Sequence, residues 1–335
     1  MKHKEPRRRI TASDVARAAQ VSRVAVSRTF TPGASVSEQT RSKVLQAAEQ
    51  LGYRPNALAR NLNKSSSDLV AFVAGFQDNL YDASLFDLLL NTLQKEGQRV
   101  LHVHVGASTD VSAALLAALD YPVAAVILAA GSIDASTVTA CLRLNAPIIV
   151  TGSAAHLDTV DSVLGDNNDG MRLVVEHLLA RGRRSIACIN GPRNITASQE
   201  RYAALVRHLG RQGMQPVAAV NTAFTVKGGF SAALELLAGE VKPDALVCAN
   251  DAIAIGALNA ARYQLGLAVP DELAIIGYDD VAAAAWPCVD LSTIKNPIDE
   301  RVAHLGELLK RRIAEPQAAP VHIKITPELV IRSTT

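Results

Sequence analysis

The chain has 335 residues, of which 49% are hydrophobic, 20% charged and 4% aromatic; that apolar share supports packed cores built from Ala, Val, Leu and Ile and excludes disorder as the main state. The net charge of +2 hides an asymmetry, because residues 1–67 hold 13 Lys and Arg against 4 Asp and Glu, a balance of +9, while the remaining 268 hold 21 against 28, a balance of −7. A small basic head on a larger acidic body predicts a polyanionic partner for the head, the plainer alternative being a solvated basic tail.

The chain opens on a basic stretch, Met1 to Ile10, followed by Asp14 and Arg17 rather than by an apolar run, so no secretory signal is expected there. Thr11-Ala12-Ser13-Asp14 has the form of a capping box, and Val15, Ala18 and Ala19 give the short helix after it one apolar face. After a turn at Gln20-Val21, Ser22 caps a second helix from Arg23 to about Thr29, with Val26 facing inward and Arg23, Val24, Ser27 and Arg28 left outside. Pro32-Gly33 breaks the chain, and Ser37 caps a third helix, Glu38 to Leu51, whose apolar stripe is Val44, Leu45, Ala48 and Leu51. Two short helices joined by a tight turn and closed by a third form a helix-turn-helix unit, whose second helix fits the major groove of DNA. A three-helix protein-interaction module has the same outline; the basic balance and the two outward arginines favour DNA.

The run Ile10-Thr11-Ala12-Ser13-Asp14-Val15-Ala16-Arg17-Ala18-Ala19, with Val21-Ser22, Val26-Ser27-Arg28, Val36-Ser37, Thr40-Arg41 and Leu51-Gly52-Tyr53-Arg54-Pro55-Asn56-Ala57-Leu58-Ala59-Arg60, resembles the head of the LacI/GalR family of bacterial repressors. The resemblance continues to about Arg332. It implies that Arg23, Val24 and Arg28 read bases. Arg28 matches an arginine used on guanine, and Arg23 stands at a variable specificity position where its fork suits guanine O6 and N7. Val24 offers an apolar contact, for instance to a thymine methyl, while Ser22 and Ser27 match phosphate contacts. Gln20 departs from the usual Gly of the turn; if that position needs positive φ, Gln costs about 1 kcal/mol.

Pro55 pre-sets a helix start, and Asn56 to Leu62 has fair helix propensity but is too short to be stable alone in water. Asn63-Lys64-Ser65-Ser66-Ser67 reads as a linker, and a passive tether fits these residues. The resemblance implies instead a hinge helix that folds on operator DNA and pairs in the minor groove, which makes Asn56, Ala59 and Leu62 DNA-binding candidates. Leu62 matches a leucine that wedges between base pairs, and Ala59 is small where paired helices approach.

From Leu69 short apolar runs alternate with helical stretches. Leu69 to Ala74, Val100 to Val105, Val123 to Leu128 and Pro147 to Val150 read as buried strands, with helices over Ser84 to Glu96, Val111 to Leu119 and Ala135 to Leu144. A second series has strands at Ser185 to Asn190, Val217 to Val220, Ala245 to Cys248 and Leu273 to Ile276, and helices at Asp169 to Arg181, Ser198 to Gly213, Lys227 to Ala238 and Asp251 to Gln264. Apolar strands with helical crossovers predict two doubly wound parallel-sheet α/β subdomains behind the all-α helix-turn-helix head. The resemblance implies a periplasmic-binding-protein-like core in which the chain crosses back. The expected divisions are a DNA-binding domain at 1–54, a hinge and linker at 55–67 and a core at 68–335. Within the core the first subdomain takes about 68–165 plus 295–326, and the second about 166–294 plus 327–335.

Ligands of such sheets sit in the crevice at the carboxyl ends of strands. Polar residues gather there, from Gly191 onward, at Asn250-Asp251 and at Gly277-Tyr278-Asp279-Asp280. The resemblance implies effector contacts at Arg201, Asn250 and Asp279, each expected on a strand-end loop, and at Phe224, a position that often stacks on a sugar face. Helix capping and surface ion pairs are the plainer roles for these residues. Three departures bear on this pocket: Gly152-Ser153 stand where the family usually carries Asp-Arg, Asn79-Leu80-Tyr81-Asp82 replaces an Asn-Pro-Phe-Phe type loop, and Ala197 replaces a small hydroxyl residue. Asn79 is then the expected neutral contact from the first subdomain. The effector expected is a small polar metabolite, sugar-like or a sugar acid.

No apolar run approaches the roughly 18 residues of a membrane helix, so no membrane partner is expected. Cys141, Cys188, Cys248 and Cys288 lie far apart and read as reduced thiols of a cytoplasmic protein. No P-loop, G-x-S-x-G, H-E-x-x-H or G-x-G-x-x-G occurs, so neither an enzyme nor a cofactor is expected. His102 and His104 share one face of a strand without further ligands at metal spacing, and Trp286 is expected to pack under the Gly277 loop. One head reads about half a site, which predicts a homodimer on a palindromic double-stranded operator. The chain stops at Thr335 without a leucine heptad, so no tetramerising coiled coil is expected. A regulator whose core binds a partner protein, and a solute-binding protein, remain the competing readings; the basic head opposes the second.

Overall fold

The structure, a computed structural model, describes residues 10–31, 33–55, 67–75, 80–106, 110–129, 135–151 and 158–335. Two units divide the chain, residues 1–67 and 68–335. In the first, α1 (Ala12–Ala19) begins at a capping box in which Thr11 Oγ1 accepts from the Asp14 N–H at 3.4 Å and Asp14 Oδ2 accepts from the Thr11 N–H at 3.0 Å. Ser22 caps α2 (Arg23–Thr29) by accepting from the Ala25 N–H at 3.1 Å, and Ser37 caps α3 (Glu38–Leu51). Gln20 does stand in the left-handed region, at φ 52°, closing α1 where a glycine is the unstrained choice. Val15, Ala19, Val26, Val44, Ala47 and Ala48 form the small core. Leu45 and Leu51, expected on the buried stripe, are exposed, and Ala47 takes the inward position. Two short helices cover only a narrow face of α3, and it centres on Val44 and Ala48, so Leu45 lies beside it and Leu51 beyond its end.

The second unit holds two parallel sheets. Strands β1 (Leu69–Ala74), β2 (Arg99–His104), β3 (Ala125–Leu128), β4 (Ile148–Thr151), β5 (Asp161–Gly165) and β11 (His322–Ile325) run in the order β11-β5-β4-β3-β1-β2. Helices α4 (Leu80–Lys95) and α11 (Ile298–Ala314) bury Leu85, Leu89, Val302 and Leu305 on one face, and α5 (Val111–Ala118) and α6 (Ala135–Arg143) bury Leu115 and Val138 on the other. β5 lies outside the strand pattern read from sequence because it opens on a charged residue. Asp161 is wholly buried, and Arg312 of α11, 151 residues away, donates to it through Nε and Nη2.

In the second sheet β6 (Ile186–Asn190), β7 (Ala218–Asn221), β8 (Ala245–Cys248) and β9 (Ala274–Ile276) run β7-β6-β8-β9. Helices α7 (Asn167–Ala180) and α8 (Thr196–Gly210) cover one face, and α9 (Val226–Ala238) and α10 (Asp251–Asn259) the other. α9 and α10 cross closely at Gly256, where a Cβ would stand 2.1 Å from the Val226 carbonyl oxygen. β10 (Thr293–Lys295) pairs antiparallel with β12 (Glu328–Val330), so the last residues return beside β9. There the Ile275 N–H donates to the Thr334 carbonyl at 2.8 Å, and His177 Nε2 lies 2.8 Å from Thr335 Oγ1. No helix among the described residues is long and apolar enough to cross a membrane.

This last contact gives the fold an acid-sensitive point. Burial, and then Arg181, lower the His177 pKa below 6.5, so the folded chain binds its proton less readily than the unfolded chain. The stability so gained is present above about pH 6.5 and is lost as pH falls through the folded value. His177→Gln is expected to flatten the dependence of the melting temperature on pH below 6.5; an unchanged slope assigns the acid sensitivity to other groups.

Candidate functional site

The outer side of α2 presents Ser22, Arg23, Val24, Ser27 and Arg28, all exposed, with Val24 at 60%. Arg23 and Ser27 form one row along the helix and Val24 and Arg28 the next, four residues apart in each case. Val26 and Thr29 anchor the opposite side, and Arg41 Nη1 donates to the Thr29 carbonyl at 3.0 Å, tying the end of α2 to α3. The helix thus offers two guanidinium forks and an apolar tip from a braced support. Asn56, Ala59 and Leu62 lie outside the described residues, as do Asn79 and the Gly152-Ser153 departure.

In the second unit a cavity of about 110 Å³ opens where the strands of both sheets end. Thr151 closes β4, Gly165 closes β5, and Asn167 opens α7. Arg201 comes from the second turn of α8 rather than from a strand-end loop, and Asp279 follows β9. Arg201 and Asp279 meet: Arg201 Nη2 donates to Asp279 Oδ1 at 3.2 Å, with both side chains buried. Arg201 also donates through Nη1 to the Ala249 carbonyl at 2.6 Å and through Nε to Asn167 Oδ1 at 3.0 Å, and its guanidinium lies 3.7 Å over the Tyr278 ring. Burial disfavours the charged guanidinium, but Asp279 and Tyr278 more than offset this and Arg201 stays charged.

Asp279 holds a left-handed φ of 111°, fixed by its N–H donating to the Ile294 carbonyl at 2.7 Å. Strain of this kind persists where the surroundings over-determine it. Burial raises the Asp279 carboxyl above the ordinary range, and Arg201 and the Asn296 amide pull it back. The Tyr278 hydroxyl is pushed up to about 12, first by burial, so it remains a phenol under Arg201. Gly170 makes room for it, since a Cβ there would stand 2.6 Å from the hydroxyl.

Asn250 and Phe224 do not line this cavity. Asn250 caps α10, its Oδ1 accepting from the Ile253 N–H at 2.9 Å, and Phe224 is buried in the core with its ring against Gly191. Trp286, expected beneath the Gly277 loop, is 57% exposed; Asp251 and Leu291 fill the space beside Gly277 instead. Thr151, Asn167, Asn296 and Arg301 line the cavity although sequence reasoning left them out, and Tyr81 and Asp82, named only within the departing loop 79–82, line it too. One signal was available for Arg301: with Leu305, Leu308 and Arg312 it falls on the buried stripe of α11.

A larger cavity, about 440 Å³, lies across Gly165 and Asn167 from the first. Its polar side chains bond largely to one another, as with Ser162 and His322, Arg207 and Asn168, and Lys324 and Asp166. The smaller cavity gathers the buried charges and is the better candidate for a ligand.

Residues 11–56 match the profile of the "Bacterial regulatory proteins, lacI family", and residues 175–335 that of the "Periplasmic binding protein-like domain". The HTH-type transcriptional regulator AscG of Escherichia coli strain K12 is 30% identical over 89% of this chain and 91% of its own length. The crystal structure of the lac repressor dimer bound to operator and the anti-inducer ONPF superposes with a TM-score of 0.86 at 27% identity, over 98% of this chain and 99% of that one. The transcriptional regulator CelR in complex with cellobiose gives 0.72 at 26% identity, over 98% and 100%.

Proposed function

The chain belongs to the LacI family of bacterial regulatory proteins, DNA-binding repressors under small-molecule control, and we propose that it works as a cytoplasmic homodimer on a palindromic operator. The observation that carries the DNA reading is the braced outer side of α2, where Arg23, Val24 and Arg28 stand exposed together. The small molecule is a polar metabolite, sugar-like or a sugar acid, held in the cleft by Arg201 and Asp279. Arginine supplies a rigid fork of donors and aspartate only acceptors, a pairing suited to adjacent hydroxyls. CelR, of the same architecture, was crystallised with cellobiose.

The lac repressor in its operator complex is a dimer, which supports the same state here.

Selection from random duplex DNA tests the proposal. The wild type is expected to return a palindrome, and Arg23→Ala and Arg28→Ala to lose discrimination by about 1–3 kcal/mol at their positions in each half-site. Ser22→Ala is expected to weaken binding evenly across sequences. An unchanged preference in both arginine variants, or a site without two-fold symmetry, overturns the reading.

A further inference from the structure

Among the described residues the core buries three arginines, Arg201, Arg301 and Arg312. Two have a carboxylate: Asp279 for Arg201 and Asp161 for Arg312. Arg301, 2% exposed and lining the cleft cavity, pairs with none among the described residues; its Nη1 donates to Thr151 Oγ1 at 3.2 Å and the Val163 carbonyl at 2.9 Å, and its Nη2 to Asn296 Oδ1 at 2.8 Å. These acceptors are all neutral, and the buried Nε has no hydrogen-bond partner among the described residues. Arginine cannot shed its proton, and a buried charge without a counter-charge is costly. Nε and Nη2 share one edge of the guanidinium, and Nη2 has made one of the two bonds it can donate. That is the edge a carboxylate takes through two parallel hydrogen bonds. Gly165 leaves room for Nη2 and its bond to Asn296, because a Cβ there would stand 3.1 Å from both Nη2 and Asn296 Oδ1.

We propose that the cleft takes an anion, and that Arg301 receives the carboxylate of a small polyhydroxy acid. The inference rests on the cleft reading above and chooses among the ligands that reading allows. Asp82 and Asp279, also lining the cavity, disfavour an anion beside them and accept from hydroxyls, so they orient the acid group toward Arg301. The Tyr81 hydroxyl, pushed up to about 12 mainly by burial, stays protonated in the same wall. A neutral sugar leaves Arg301 with neutral acceptors alone; the acid supplies a carboxylate in direct contact with it.

Formate, a carboxylate without a scaffold, is the first probe. Thermal unfolding of the full-length protein in sodium formate is compared with sodium chloride at equal ionic strength. The wild type is expected to melt a few degrees higher in formate, and Arg301→Met to show no difference. Arg301→Lys keeps the charge without the planar edge, and at least half of the rise should disappear; it carries the comparison if Arg301→Met does not fold. No rise in the wild type, or an equal rise in the variants, overturns the inference. D-galacturonate and D-galactose, tested for release of the selected operator, separate this inference from the one beneath it. Release by galactose and not galacturonate overturns the anion and leaves the cleft standing. Release by galacturonate that is equal in wild type and Arg301→Lys overturns Arg301 as its receiver, and equal release from Arg201→Lys removes the cleft itself.

Discussion

Arg201→Ala is expected to lower the stability of the core by about 3–5 kcal/mol, the cost typical of removing one partner of a buried ion pair. The loss follows from what remains. Asp279 keeps its strained backbone and its buried carboxylate, and among the described residues the Asn296 amide is the side-chain hydrogen-bond donor left to it. The Ala249 carbonyl and Asn167 Oδ1 each lose a donor as well. Without the cation the Asp279 carboxyl rises further above its unfolded value, so the variant loses more stability as pH climbs through that interval, where the unfolded chain binds fewer protons than the folded one. Urea unfolding at two pH values measures both effects. A double-mutant cycle with Asp279→Leu separates the pair from its surroundings: the double variant should recover a large part of the loss, because no charge is left buried alone. A loss below about 1 kcal/mol, typical of an exposed pair, would mean that solvent reaches Asp279 in the free protein.

Asp161→Ala is expected to cost a similar 3–5 kcal/mol at the opposite end of the first sheet. Asp161 accepts from Arg312 and, at 2.7 Å, from the Val321 N–H that leads into β11. Its removal leaves a buried guanidinium and an orphaned donor at the point where the edge strand begins. Amide exchange should rise first in His322–Ile325, before the central strands. Asp161→Asn keeps the acceptor and loses the charge, and should fall between wild type and alanine. If exchange in β11 is unchanged in Asp161→Ala, the strand is held by its pairing with β5 alone.

These two pairs also mark where sequence reading stops. The head was legible because its signals are local: Thr11 with Asp14, Ser22 with Ala25 and Ser37 with Thr40 lie three residues apart, and the apolar spacing finds Val15, Ala19, Val26, Val44 and Ala48 of its core while misplacing Ala18, Leu45 and Leu51, which are exposed. The strands that are apolar throughout, such as Ala125–Leu128 and Ala245–Cys248, were equally plain. β5 was not, since its buried charge makes sense only with a partner 151 residues on. The cavity is assembled from residues at the ends of many elements, and nothing near Thr151, Asn167 or Asn296 distinguishes them from loop polar residues. Resemblance supplied Arg201 and Asp279, while it placed Asn250 and Phe224 on the same surface where the structure uses them as a cap and a core ring.

Arg301 and Arg312 stand on one stripe of α11, eleven residues and so about 16 Å apart. The first is keyed into the end of β4 and the middle of β5 through Thr151 and the Val163 carbonyl, the second into the start of β5 through Asp161. A rod fastened at both ends resists torsion: it cannot roll without breaking one set of bonds. A guest that draws on Arg301 therefore pulls against a strut and not against a loose side chain. The chain steps from β10 into that strut through Lys295-Asn296-Pro297. Asn296 sits in the middle of the step, with one amide arm on Asp279 and the other on Arg301, so the two charged side chains share one intermediary.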